Sequence, residues 1–244
     1  MKKNKTHFGF SEIDIEEKEP LVKEVFSSVA SKYDLMNDLM SFGLHRFWKR
    51  YVATNINIKD NDHILDLAAG SGDLSILFKK KSPKASIIHS DINQSMLEEG
   101  QKKIIDHGLI IPSMLVNAEQ IPFPDNSFNV VSIGFGLRNM TNKQSVLKEV
   151  FRCLKPGGQI VILEFSKIHS SLEKIYDLFS FKIIPKIGKH IANDEKSYKY
   201  LAESIRMHPD QETLLHMLNE AGFCKTSYTN LSAGVVAVHS GYKS

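Results

Sequence analysis

Two textures of hydrophobic and polar positions divide the chain. Through residue 57 the apolar residues recur at helical spacing. Val22, Val25, Phe26, Val29 and Tyr33 form one stripe behind Glu19-Pro20, where a proline suits a first helical turn. Leu35 to Tyr51 continues in helical character and is broken near Gly43. From residue 62 short apolar runs alternate with helical patterns. Strands are predicted at His63–Leu67, Ala85–His89, Pro112–Val116, Asn129–Phe135 and Gln159–Phe165. Helices are predicted at Asp73–Lys81, Gln94–His107 and Lys143–Leu154, the last closed by Lys155-Pro156-Gly157-Gly158. This alternation predicts βαβ units and a doubly wound, mostly parallel α/β sheet. Residues 166–208 interrupt the alternation at greater length than an ordinary connection. It resumes with a helix at Gln211–Ala221 and two strands, Cys224–Tyr228 and Val235–His239, which suggest a closing antiparallel hairpin and bring the sheet to seven strands. The whole chain, 1–244, reads as one domain, with 1–57 a helical cap and 166–208 an inserted substrate cap.

Composition narrows the classes. The chain has 244 residues, 42% hydrophobic and 24% charged, close to globular averages, which excludes disordered and collagen-like chains. Thirty-one Lys+Arg against twenty-eight Asp+Glu leaves +3, too mild for the basic face that nucleic-acid binding needs. Cys153 and Cys224 belong to no CxxC, and the ten histidines form no HxH or HExxH, so neither a disulfide framework nor a metal site is expected. No stretch approaches about 18 uninterrupted apolar residues. A cytoplasmic protein of a reducing compartment is the expectation.

The chemistry-bearing segment is Asp66-Leu67-Ala68-Ala69-Gly70-Ser71-Gly72-Asp73, between a strand and a helix. Ligands of open α/β sheets bind beyond the carboxyl ends of the strands, and Gly70 and Gly72 let the backbone approach one. No Lys follows Gly72, so the segment is not a P-loop. Ser75 stands where a dinucleotide fingerprint has its third small residue, and Asp73 would compete with a pyrophosphate at the helix start. The loop therefore suits a ligand without phosphates, and an adenosine-bearing sulfonium cation would match the nearby Asp66 and Asp73. Asp91, ending the second strand, is placed to accept hydrogen bonds from a ribose, against the alternative of a helix-capping Asp. Asn117-Ala118-Glu119 follows the third strand, where an Asn or a backbone amide reads an adenine edge or simply makes an Asx turn.

The order DLAAGSGD, strand-end Asp, NAEQIPFPDNSF and LKPGG resembles the class I S-adenosylmethionine-dependent methyltransferases, with their Rossmann-like fold. SVASKYDLMNDLMSFGLHRFWKR (28–50), GFGLRNMTN (134–142), LEFSK (163–167) and SYKYLAESIRMHPDQETL (197–214) resemble more narrowly the ubiquinone/menaquinone biosynthesis C-methyltransferase family, over nearly the whole chain. The resemblance implies S-adenosylmethionine as cofactor and C-methylation of a polyprenylated hydroquinone: demethylmenaquinol, 2-methoxy-6-polyprenyl-1,4-benzoquinol, or both. It carries cofactor contacts onto Ser71, Asp91, Asn117 and Ala118. A fourth contact, often a Ser in the family, falls on Gly134, where only backbone is available.

Methyl transfer to a phenolic ring carbon is helped by a general base or a cation that stabilises the phenolate. Arg138 and Asn139, just past the fourth strand, and Tyr33 from the N-terminal helices are the catalytic candidates, with a loop-pinning salt bridge the alternative for Arg138. Tyr200, Glu203, Arg206 and His208 are candidates for the opposite wall. Leu35–Trp48 and Leu172–Ile187 mix large apolar residues with Lys and Arg, as at membrane interfaces, or as in ordinary amphipathic core helices. The expected partners are a polyprenylated quinol, a transiently touched inner face of the cell membrane, and either a second copy or a quinone-biosynthesis complex. Two rival readings stand beside this one. A nucleic-acid methyltransferase lacks support from charge and motif, and a non-catalytic S-adenosylmethionine-binding scaffold has the intact glycine loop, Asp91 and FGLRN (135–139) against it.

Overall fold

The computed structural model describes residues 5–183 and 194–244. The chain opens with strands β1 (Lys5–Phe8) and β2 (Ser11–Asp14), then helices α1 (Ile15–Val29), α2 (Tyr33–Ser41) and α3 (Leu44–Asn55). Alternation begins at β3 (His63–Leu67) and runs through α4 (Asp73–Lys81), β4 (Ser86–Asp91), α5 (Gln94–Asp106), β5 (Ser113–Leu115), β6 (Phe128–Gly134), α6 (Lys143–Cys153) and β7 (Leu154–Phe165). Helices α7 (Glu173–Leu178), α8 (Glu195–Arg206) and α9 (Gln211–Glu220) lead to β8 (Cys224–Leu231) and β9 (Val236–Tyr242).

Seven strands form one sheet in the order β5-β4-β3-β6-β7-β9-β8. Every pair from β5 to β7 is parallel, and β9 lies antiparallel to both β7 and β8. The predicted doubly wound sheet and closing hairpin are present. Strand alternation builds the two faces. Ile64, Val130, Val161 and Leu163 pack with Trp48, Val52, Leu74 and Phe78 of α3 and α4. Their neighbours Leu65, Val131, Ile160 and Ile162 pack with Val146, Val150, Leu214 and Leu218 of α6 and α9. Both faces of β3, β6 and β7 are therefore covered, which is why those segments read as continuous apolar runs.

The chain leaves β3 towards β4 and β5, then returns to β6 on the other side of β3. This reversal opens a crevice beyond the carboxyl ends of β3 and β6. Over it lies a third apolar cluster, in which Val29, Tyr33 and Met36 of the N-terminal helices meet Met96 of α5 and Tyr198 of α8. Asn93 fastens this cover, its amide donating to the Lys23 carbonyl (2.9 Å) and reaching the Ser27 hydroxyl (3.0 Å).

Two boundaries depart from the sequence expectation, and the expected helical break is present. The start of the chain is a hairpin, turned at Gly9 with φ +58°, and not only helix. Two four-residue strands are too short to be stable alone; this pair is held from outside by Phe8, which stacks on Tyr200 at 4.1 Å. Strand β7 begins at Leu154 rather than Gln159, because Leu154 pairs with Phe128 before a register shift that absorbs the Pro-Gly-Gly turn. The helical break expected near Gly43 falls on Phe42 and Gly43, both left-handed. Of the expected 172–187 apolar segment, residues 184–187 lie outside the described residues. Among the described residues, no helix is long and apolar enough to cross a membrane.

Candidate functional site

The glycine loop between β3 and α4 takes its shape from alternating left-handed residues, Ala68 (φ 52°), Gly70 (φ 54°) and Gly72 (φ 76°). Such conformations suit glycine, and at Ala68 the backbone is strained. The loop is tied to β4 on both sides of Gly70. Its amide donates to the Asp91 carboxylate (2.9 Å), and its carbonyl accepts from His89 Nε2 (2.9 Å). A carbonyl only accepts, so Nε2 carries the hydrogen and Nδ1 accepts from the Ser113 hydroxyl (3.0 Å). Helix α5 presses on the same loop through Gly100, where a Cβ would stand 2.5 Å from the Gly70 carbonyl oxygen and 2.6 Å from the buried His89 ring. Neither neighbour is the free end of a flexible chain. Gly100→Ala is therefore expected to cost about 1–3 kcal/mol by overpacking and to displace the loop. Urea unfolding checks the first effect and adenosyl-ligand affinity the second; unchanged values for both would contradict this packing.

In front of the loop lies a cavity of about 800 Å³, walled by Gly70, Asp91, Asn117, Ala118, Phe135 and Asn139 from the sheet side and by Val22, Phe26 and Tyr33 from the cover. Most of this wall is apolar, with a few convergent polar groups, as small-molecule sites usually are. Asp91, at the carboxyl end of β4, shares this wall with Glu19 and Glu119 and is the most deeply set of the three carboxylates. Burial pushes its carboxyl above the ordinary value, against the pull of the Asn93 and Gly70 amides. Those amides occupy one lone pair on each oxygen (2.8 and 2.9 Å), and the remaining pairs can still accept. Asn117 uses its side-chain carbonyl on the Glu119 amide (2.9 Å), so its Asx turn is present and its NH2 is left over for a ligand.

Tyr33 also borders a second, smaller space of about 270 Å³, shared with Lys49, Asp66, Asp73, Leu74 and Gly134. This space carries both signs of charge. Asp66 is buried and accepts from the hydroxyls of Ser75 (2.6 Å) and Ser132 (2.7 Å), and desolvation raises its pKa. Asp73 bonds Lys49 (2.6 Å) and Lys103 (2.6 Å); burial opposes its ionisation, but the two ammoniums win and hold its carboxyl well below the usual range. Lys103 also pairs with Asp34, which accepts from Ser71 Oγ at 3.1 Å. A Cβ on Gly134 would stand 2.8 Å from Leu74 Cδ1, so the leucine occupies the room a serine side chain would take.

The expected cofactor residues thus separate. Gly70, Asp91, Asn117 and Ala118 reach the large cavity, and Asp66 and Gly134 reach the small one. The structure does not bring Ser71 or Gly72 to either. Ser71 spends its hydroxyl on Asp34, and Gly72 faces Ile104 and His89.

The catalytic candidates separate too. Tyr33 and Asn139 line the large cavity, and Asn139 accepts from the Tyr200 hydroxyl at 3.1 Å. Burial raises the Tyr200 pKa to about 12, which keeps that hydroxyl protonated as a donor. Arg138 points away from the large cavity. Its guanidinium bonds Glu164 (3.0 Å) and the Phe135 carbonyl and lies 5.3 Å from the Phe165 ring centre, while its amide donates to the other Glu164 oxygen (3.1 Å). The loop-pinning salt bridge is present, and Arg138 instead borders a polar cavity beside the large one. Glu164, His89 and Gly100 escaped sequence reasoning, since nothing local marks a strand residue or a helix glycine as the partner of a distant loop. The one available signal was Glu164 itself, a charge inside an otherwise apolar strand. Among the described residues, no group of three or more His, Cys, Asp or Glu side chains is arranged to hold a metal ion.

Known proteins resemble this chain over nearly its whole length. The profile of the ubiE/COQ5 methyltransferase family matches residues 13–243. The chain is 54% identical over 240 residues to the ubiquinone/menaquinone biosynthesis C-methyltransferase UbiE of Neisseria meningitidis, covering 98% of each chain. It is 53% identical over 241 residues to the UbiE of Burkholderia mallei, covering 98% of this chain and 99% of the relative. Among solved structures, a SAM-dependent methyltransferase from Thermotoga maritima superposes with a TM-score of 0.63 at 17% identity, over 91% of this chain and 99% of that one. The [4+2]-cyclase SpnF superposes with a TM-score of 0.67 at 15% identity, over 91% of this chain and 94% of that one. These two likenesses establish the fold alone, and the second shows that the fold also hosts a cyclase.

Proposed function

Since the chain belongs to the ubiE/COQ5 methyltransferase family, we propose that it transfers the methyl group of S-adenosylmethionine to a ring carbon of a polyprenylated hydroquinone. The single observation that carries this reading is Asp91, a buried carboxylate with acceptor capacity to spare at the mouth of a large apolar cavity. Its free lone pairs suit ribose hydroxyls, and Asn117 and Ala118 beside it suit an adenine edge. The small space suits an amino-acid zwitterion, with Lys49 for the carboxylate and Asp66 for the ammonium. Gly134 would contribute backbone there, and Ser71 and Gly72 hold the loop rather than the ligand. Bound in these two spaces, S-adenosylmethionine supplies an electrophilic methyl group.

The protein's own residues orient the acceptor and exclude water. Tyr33 closes the cavity from the cover, and Asn139 presents its amide from the sheet side, fixed by Tyr200. Arg138, anchored on Glu164, sets the position of Asn139 and adds positive charge behind it. Orientation of this kind is worth several kcal/mol, about 7–11 in well-organised sites. The acceptor is demethylmenaquinol, 2-methoxy-6-polyprenyl-1,4-benzoquinol, or both.

A labelled-methyl assay with short-chain forms of both quinols, kept reduced, tests the reading. Label on a ring carbon is the expected result. Label on oxygen, or none with either quinol, overturns it, and binding of S-adenosylmethionine without turnover would favour a scaffold.

A prenyl tail must be reached in a lipid phase, so the protein visits the inner face of the cell membrane as a peripheral, otherwise cytoplasmic enzyme. The α2–α3 turn supports this contact. Leu35, Phe42, Leu44 and Phe47 are exposed there, Phe42 by 78%, with Arg46 beside them. Leu172, Leu178 and Ile183 add exposed apolar surface in the second expected segment. Phe42→Ser with Phe47→Ser is expected to abolish flotation with anionic vesicles while leaving the melting temperature unchanged; unaltered flotation would remove the turn from this role. A second copy or a quinone-biosynthesis complex remains the proposed protein partner.

A further inference from the structure

Beside the large cavity lies a polar one of about 450 Å³, between the β1–β2 hairpin, α1 and the start of α6. Lys18, Lys143 and Arg138 all line it, together with Thr141 and Tyr200. Thr141 belongs to both cavities, and the Tyr200–Asn139 hydrogen bond joins them. Three cations in one small space need a reason. Lys18 and Lys143 form no ion pair among the described residues; each ammonium reaches only the Met140 carbonyl, at 3.3 and 3.4 Å. Arg138 leaves its buried Nε without a partner.

The carboxylates nearby do not balance this charge. Glu164 is held by Arg138 and the Phe165 amide, and Glu119 caps the amides of Thr141 and Asn142 at 3.0 and 2.9 Å. His7 of β1 also lines the cavity, Glu203 of α8 accepts from the Phe10 amide at the hairpin turn beside it (3.2 Å), and His208 is kept neutral chiefly by burial, with Lys143 and Arg138 adding to the effect. Lys143 is also the first residue of α6, where the helix dipole opposes a cation. Lys18, buried, and Lys143, half-buried at the positive end of a helix, have no carboxylate partner of their own among the described residues and destabilise one another unless an anion joins them.

We propose that this cavity is an oxyanion site that receives the ring oxygen of the phenolic substrate as a phenolate on Lys18 and Lys143, with Lys143 as the base that deprotonates it. The proposal rests on the hydroquinone reading above. The quinol O–H bond breaks, its electron pair stays on oxygen, and the proton goes to the neutral amine of Lys143. The resulting ammonium holds the phenolate, whose charge raises the nucleophilicity of the ring carbon. After that carbon has been methylated its proton returns to the oxygen by tautomerisation, and Lys143 releases its own proton to solvent. Burial first, and Lys18 second, bring the Lys143 pKa down to about 8, so about a tenth of the amine is neutral at pH 7, far more than for an ordinary lysine.

The test is a titration of 4-nitro-1-naphthol, whose phenolate absorbs in the visible, against the full chain without cofactor. On the wild type its midpoint is expected to fall by about 1–3 pH units. Lys143→Met and Lys18→Met should each remove most of that fall, whereas Lys143→Arg should keep it. Lys143→Arg should nonetheless lose about a hundredfold in methyl transfer to short-chain demethylmenaquinol, because a guanidinium cannot take the proton. Lys143→Met should melt at or above the wild-type temperature, since it relieves repulsion. An unshifted midpoint on the wild type, a fall in both Met variants as large as the wild type's, or a lowered melting temperature for Lys143→Met overturns the proposal. The two readings fail separately. A shifted probe with no methylation of any quinol would sink the substrate assignment and leave the oxyanion site, whereas wild-type turnover in Lys143→Arg would sink the base and leave the substrate.

Discussion

Glu164→Leu is expected to destabilise the protein by about 3–5 kcal/mol, the usual cost of removing one partner from a buried ion pair. The carboxylate accepts from the Arg138 guanidinium, the Arg138 amide and the Phe165 amide, all inside the fold. Its loss leaves a buried guanidinium uncompensated next to Lys18 and Lys143. For a chain of this size the melting temperature should fall by roughly 6–20 °C. Removing the charge as well, in Arg138→Met with Glu164→Leu, should recover most of that loss, because the pair is replaced by apolar volume. The double variant should still be a poor enzyme, since the loop that carries Asn139 loses its anchor. A loss below about 1 kcal/mol in the single variant would mean that the pair behaves like a surface bridge and does not hold the loop.

Asp91→Ala should weaken S-adenosylmethionine binding at least a hundredfold, about 3 kcal/mol, measured by calorimetry. Two effects combine. The ligand's hydroxyls lose a charged acceptor, and the Gly70 and Asn93 amides lose theirs, which frees the glycine loop from β4. Asp91→Asn keeps one carbonyl acceptor and should fall between the two. An alanine variant that binds within a few-fold of wild type would return Asp91 to a purely structural capping role.

Much of the fold was legible from local pattern. The apolar runs at His63–Leu67 and Asn129–Phe135 are continuous because both faces of those strands are covered. The Gly-containing loop and Asp91 sit at strand ends, and strand ends are readable from where periodicity changes. The hairpin at Lys5–Asp14 was not, because its strands are short and depend on Phe8 meeting Tyr200 far along the chain. The eight expected cofactor residues were not separable by sequence either. Asp66 and Asp91 look alike as strand-end carboxylates, yet Asp66 is turned onto Ser75 and Ser132, and only Asp91 opens onto the large cavity. Arg138 offered two readings with equal local support, and the choice depended on Glu164 arriving from the neighbouring strand.

What the sequence determined by itself is the order and kind of its elements, the left-handed glycine positions and the family whose motifs it carries. These depend on residues a few places apart, through helical and strand periodicity and backbone sterics. Tertiary structure alone decided which side chains share a space. Lys18, Arg138, Lys143 and Tyr200 come from separate parts of the chain, and only strand order and the packing of α1 and α8 over the sheet bring them to one cavity. Charge interactions across such distances in sequence exist only once burial has excluded water, and no local pattern records them.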